Sequence, residues 1–128
     1  MKISTAETGT SSGKGTDEMS ELEPITNDEF EPKVIESATP VLVDFYATWC
    51  PPCRMLAPVL EDLSRELAGR LLIVRVNVDE EPDLAARYRI TAVPTMILFK
   101  DGVILDTTPG FEPKDALKKK LEKLIGGK

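Results

Sequence analysis

Apolar residues along this chain fall into two kinds of run, and the difference between them sets out the architecture. Pro40 to Ala47 and Leu71 to Val78 are nearly continuous in apolar residues, as expected of strands covered on both faces. Between them Leu56, Val59, Leu60, Leu63 and Leu67 recur at helical spacing. That spacing predicts a helix from Pro51 to about Ala68, stopping at Gly69. Pro58 lies inside it and is expected to remove one backbone hydrogen bond and kink the helix. Strand, helix and strand in this order make a βαβ unit, whose two strands run parallel.

The second half of the chain changes period. Thr95 to Lys100 and Val103 to Thr108 flank Asp101-Gly102, a pair that supplies the positive φ angles of a tight hairpin turn, so these strands are expected to be antiparallel. Glu112-Pro113 opens a last helix with Leu117, Leu121 and Leu124 on one face, ended by Gly126-Gly127. Glu80-Glu81-Pro82 starts a short helix through about Tyr88. Upstream, Leu22 to Ile25 reads as a short strand, and Thr26-Asn27-Asp28-Glu29 has the spacing of a capping box opening a short helix with Phe30, Val34 and Ile35 inward. The fold class is therefore α/β: a mixed central sheet of four to five strands with about four helices on its two faces.

Composition narrows the setting. A chain of 128 residues suits one domain, and no apolar run approaches the roughly 18 residues of a membrane-spanning helix. Met1 to Ser20 is rich in Ser, Thr, Gly and Glu and has no aromatic residue, so residues 1–20 are expected to be a disordered tail and residues 21–128 the folded domain. The net charge of -6 comes from the acidic residues before Pro32, and the rest of the chain is balanced. Nothing calls for a nucleic-acid or membrane partner. The N-terminus shows neither an apolar signal stretch nor an arginine-rich transit pattern, which gives a cytoplasmic expectation; the chain is expected to be a monomer.

Candidate chemistry concentrates at Trp49-Cys50-Pro51-Pro52-Cys53, which holds both cysteines at the predicted strand-to-helix junction. Cysteines at i and i+3 on a first helical turn share a face and lie close to disulfide range. Unpaired amides and the helix dipole favour the thiolate at Cys50, the nucleophilic form. Such a pair can attack a substrate disulfide with Cys50 and resolve the mixed disulfide with Cys53. Zinc would need four ligands, and the chain has two cysteines and no histidine; inert core thiols would have no reason to sit at this junction. Lack of histidine also removes Cys-His hydrolysis. No metal site is expected. Asp44 interrupts the first buried strand and Arg75 the second. The two form either a satisfied buried ion pair, or a site in which Asp44 accepts and returns a proton for Cys53. Pro94 stands directly before a strand, and position alone does not make it cis.

Val43-Asp44-Phe45, Trp49-Cys50-x-Pro52-Cys53, Ala57-Pro58, Asn77-x-Asp79, Val93-Pro94-Thr95 and Phe99-Lys100-x-Gly102 occur together and in order. With them the chain resembles the thioredoxin family over about residues 22 to 125. The resemblance implies a thioredoxin fold and a dithiol reductase of protein disulfides, with no bound cofactor. Its reversible Cys50–Cys53 disulfide would be recharged by thioredoxin reductase using NADPH. Cys50 matches the attacking cysteine, Cys53 the resolving one, Asp44 the buried aspartate, and Arg75 a position where the family often has lysine. Pro94 matches the cis-proline beside the disulfide and Val93 the residue whose backbone pairs with substrate. Gly110 and Trp49 match substrate-groove positions. Pro51 stands where the family usually has glycine and Tyr46 where it commonly has tryptophan. Pro51, Pro52 and Arg75 are expected to modulate the site, Pro51 by shifting the reduction potential. A disulfide oxidase or isomerase, a reductase with one client, and a non-catalytic binding subunit are the alternatives on the same fold.

Overall fold

The computed structural model describes residues 22–126, so the expected tail at residues 1–20 and the end of the chain from Gly127 lie outside the described residues. The first helix, α1 (Asn27–Phe30), continues into a π-helical turn over Glu31–Ile35. Then come β1 (Val41–Tyr46), α2 (Pro51–Glu66), β2 (Leu72–Asn77), α3 (Pro82–Arg87), β3 (Thr95–Lys100), β4 (Val103–Pro109) and α4 (Lys114–Leu124). The sheet is mixed, with strand order β2-β1-β3-β4. β1 runs parallel to β2 and antiparallel to β3, and β3 and β4 form the antiparallel hairpin.

Alternation along the strands divides the core into two layers. Val41, Val43 and Phe45 of β1 join Val74, Val76, Ile97 and Phe99 on the face covered by Phe30, Val34 and Leu84. Leu42 joins Ile73, Met96 and Leu98 on the other face, against Leu56, Leu60 and Leu63 of α2 and Leu117 and Leu121 of α4. β1 is buried at every position, as its unbroken apolar run requires. It is thus the rigid interior strand from whose end the cysteines are presented.

Local chemistry accounts for most boundaries. Glu29 accepts the Thr26 N–H at 2.9 Å, the back-reaching half of the capping box. α2 runs through Pro58 and ends at Glu66, short of Ala68, with Gly69 at φ 85° in the turn that follows. Asp101 and Gly102 take φ 53° and 79° in the hairpin turn. The short strand expected at Leu22 to Ile25 is reduced to a single bridge, Pro24 to Arg75, with the Ile25 N–H donating to the Arg75 carbonyl at 2.8 Å. Pro24 has no N–H with which to extend a ladder. A register shift leaves Leu105 as an extra residue in β4, since Leu98 faces Asp106 while Phe99 faces Ile104. Among the described residues no helix is long and apolar enough to cross a membrane.

Candidate active site

β1 leaves the sheet at Tyr46, and three residues later the chain enters α2 with Cys50 as N-cap. Cys50 takes an extended backbone (φ -97°, ψ 111°), and Pro51 and Pro52 fill the first two helical positions. Cys50 and Cys53 form a disulfide with Cα atoms 5.2 Å apart, and both are buried. The Cys53 N–H donates to Cys50 Sγ at 3.2 Å. Neither proline carries an N–H, so this is the first helical amide available to the sulfur. Arg54 donates to the Thr48 carbonyl at 2.8 Å and fastens the approach loop. Trp49 stands 65% exposed beside the disulfide, its indole N–H donating to Asp79 at 2.8 Å. Asp79 is itself held in a turn in which Asn77 Oδ1 accepts the N–H groups of Asp79 and Glu80 at 2.9 and 3.2 Å.

The start of β3 completes the rim. The Val93-Pro94 peptide bond is cis, as the family resemblance implies, and the Val93 carbonyl oxygen lies 3.6 Å from Cys50 Sγ. The Thr95 hydroxyl donates to the Ala92 carbonyl at 2.7 Å, and the Gly110 N–H to the Pro94 carbonyl at 2.7 Å. Gly110 has φ 85°, a left-handed conformation that favours glycine. Because β3 lies between β1 and β4 in the sheet, the predicted groove residues Trp49, Val93, Pro94 and Gly110 are brought to one end of the molecule with the cysteines.

Asp44 is fully buried opposite Arg75 in the parallel β1–β2 register. Arg75 Nε donates to Asp44 Oδ2 at 3.0 Å, and its guanidinium carbon sits 3.7 Å from the centre of the Tyr46 ring. The other carboxylate oxygen, Oδ1, is buried with no hydrogen-bond partner among the described residues. Loss of water pushes the Asp44 pKa up to about 6, against the opposing charge and hydrogen bond of Arg75. The ion pair expected from sequence therefore exists, but it satisfies half of the carboxylate. Tyr46 lies two residues further along the same face of β1, and it packs with Ala47, Cys50 and Cys53.

Sequence reasoning did not foresee two participants. Tyr46 sits in an apolar run and reads as core, yet it supports Arg75. Asp79 anchors Trp49; the Asn77-x-Asp79 spacing was the available signal for the turn. Among the described residues no group of His, Cys, Asp or Glu side chains is arranged to hold a metal ion, and no residue set calls for a bound cofactor.

Comparison with known proteins gives a consistent result. The family profile described as Thioredoxin matches residues 21–123. The chain is 44% identical over 105 residues to thioredoxin 1 of Synechococcus elongatus, covering 82% of this chain and 98% of that one. It is 43% identical over 93 residues to a thioredoxin of Rickettsia felis, covering 73% and 89% of the two chains. It is 42% identical over 107 residues to the chloroplastic M-type thioredoxin of Pisum sativum, covering 84% and 62%.

Proposed function

Because the chain belongs to the thioredoxin family and is a thiol-disulfide oxidoreductase, we propose that it acts as a general reductase of protein disulfides, with Cys50 attacking and Cys53 resolving. In the reduced protein the Cys50 thiolate attacks one sulfur of a client disulfide. A mixed disulfide forms and the other client sulfur leaves as thiolate. Asp44 takes the proton of Cys53, and the new thiolate attacks Cys50 Sγ. The mixed bond breaks and the second client sulfur leaves as thiolate, so two electrons have passed to the client; one client thiolate takes back the proton held by Asp44 and the other is protonated from solvent. The enzyme is left as the Cys50–Cys53 disulfide.

The observation that carries this order of attack is the Cys53 N–H on Cys50 Sγ at the helix N-terminus. That donor and the positive end of the helix stabilise charge on Cys50. Burial of Asp44, with no hydrogen-bond partner for Oδ1 among the described residues and on the face of β1 that carries Tyr46, supports its reading as the proton carrier. Trp49, Val93, Pro94 and Gly110 hold an extended client segment, Val93 through its backbone. Pro51, Pro52 and Arg75 modulate. Pro51 and Pro52 remove two donors from the helix end, so the reduction potential differs from that of a relative with glycine at the first of these positions. Equilibration of Pro51→Gly with glutathione tests this, and a potential equal to the wild-type value contradicts it.

Family members exchange with disulfide-containing clients and a reductase. Recharging here is assigned to thioredoxin reductase and NADPH, in the cytoplasm, since turnover needs a compartment that keeps the dithiol reduced. NADPH-coupled reduction of insulin is the test: turnover should require added thioredoxin reductase and vanish in Cys50→Ser. Activity surviving in Cys50→Ser would point to a role that does not use the cysteine pair.

A further inference from the structure

Arg75 grips only one oxygen of the buried Asp44 carboxylate. Its Nε donates to Oδ2 at 3.0 Å, while Oδ1 has no hydrogen-bond partner among the described residues. A guanidinium carries five N–H groups in a planar fork that readily takes both oxygens of a carboxylate. The cause of the one-sided grip lies two residues further along β1. The guanidinium carbon is 3.7 Å from the centre of the Tyr46 ring, a distance reached only over the face of the ring. Arg75 starts opposite Asp44 in the β1–β2 register, whereas Tyr46 lies opposite Asn77. The head group is therefore drawn past the carboxylate towards Tyr46, which leaves Nε, the nitrogen nearest the stem, beside Oδ2.

We propose that Tyr46 is a positioning residue for the exchange reaction: by holding the Arg75 guanidinium over its ring it confines Arg75 to Oδ2 and leaves Oδ1 as the oxygen that receives the Cys53 proton. This rests on the reading of Asp44 as proton carrier and names the atom that carries the proton and the residue that keeps it open. In the transfer the S–H bond of Cys53 breaks and an O–H bond forms at Oδ1; the reverse transfer gives the proton to a client thiolate. A charge-assisted N–H on Oδ1 would stabilise the carboxylate, weaken it as a base and occupy the place of transfer. Arg75 on β2 is the charged group acting on the Asp44 carboxyl. Its register partner on β3 is the apolar Met96, and from α2 Cys50 and Cys53 pack with Tyr46 and do not titrate while joined as the disulfide.

The test follows the Asp44 carboxyl by carbon-13 NMR across pH in the full-length oxidised protein, its resonance assigned by absence from Asp44→Asn. Tyr46→Leu should lower the titration midpoint by about one pH unit, and Tyr46→Phe, which keeps the ring face, should hold the wild-type midpoint. Water admitted by a smaller side chain would also lower the midpoint, and Arg75→Lys separates the two causes because an ammonium has no fork. In that background Tyr46→Leu should leave the midpoint unmoved. An unmoved or raised midpoint in Tyr46→Leu with Arg75 present, an equal fall in Tyr46→Phe, or an equal fall in the Arg75→Lys background overturns the proposal. Should Tyr46→Leu not fold, Tyr46→Met is read by the same criteria. The proton-carrier reading fails separately, if Asp44→Asn resolves the mixed disulfide at the wild-type rate throughout the pH range.

Discussion

Asp44 ties the chemistry of one side chain to the stability of the fold. Its carboxyl titrates near 4 in an unfolded chain and at about 6 in the folded protein. Between those values the folded state holds a proton that the unfolded state has lost, so stability falls as pH rises through the window and levels off above it. The size of the fall is on the order of 2–3 kcal/mol for a fully buried group. Glu29 and Glu66, whose pKa values are lowered by their hydrogen-bond partners, act in the opposite direction, so the effect is read as a difference between variants. Urea denaturation of wild type and Asp44→Asn should give a difference in unfolding free energy that declines from about pH 4 to about pH 7; a difference independent of pH would contradict the assignment. Both Asp44 and Arg75 were visible in the sequence as charges in buried runs, because burial of a charge is a rule violation that pattern exposes. The stacking of Arg75 on Tyr46 was not, because a tyrosine in an apolar strand has no signature of what its ring face touches.

At the level of elements, the period of the hydrophobic pattern carried most of the information. The continuous runs became β1 and β2, the helical spacing became α2, and Asp101-Gly102 became the hairpin turn. Two features escaped. The bulge at Leu105 depends on the pairing of two strands and leaves no trace in one of them. The π-helical turn after α1 continues an apolar spacing that fits an ordinary helix equally well. Gly102 offers a direct check of the turn. It sits at φ 79°, and a Cβ there would lie 3.2 Å from the Ile35 carbonyl oxygen, so the turn is packed against the segment after α1. Gly102→Ala should cost about 1–2 kcal/mol in equilibrium unfolding. A change within a few tenths of a kcal/mol would show that the turn relaxes freely.

The whole molecule places its reactive end where the two halves of the fold meet. β1 leads to Trp49 and the cysteines, β2 leads to Asp79 through the Asn77 turn, Val93-Pro94 lead directly into β3, and Gly110 directly follows β4. Sequence motifs named most of these residues separately, but their adjacency follows from the strand order, which puts β3 between β1 and β4 although it comes later in the chain than β2. The opposite faces of the sheet are closed by helices, and α2 is tied to α4 by Lys114 and Lys118 on Glu66 at 2.6 and 2.9 Å. This leaves the N-terminus of α2 as the end at which exchange takes place. Trapping of the mixed disulfide tests that claim most directly. Reduced Cys53→Ser, incubated with a disulfide-bonded client and analysed by mass spectrometry, should accumulate a dithiothreitol-reversible adduct on Cys50, and Cys50→Ser should accumulate none. An adduct on Cys53 in the Cys50→Ser protein, with none on Cys50 in Cys53→Ser, would reverse the assigned roles and contradict the account.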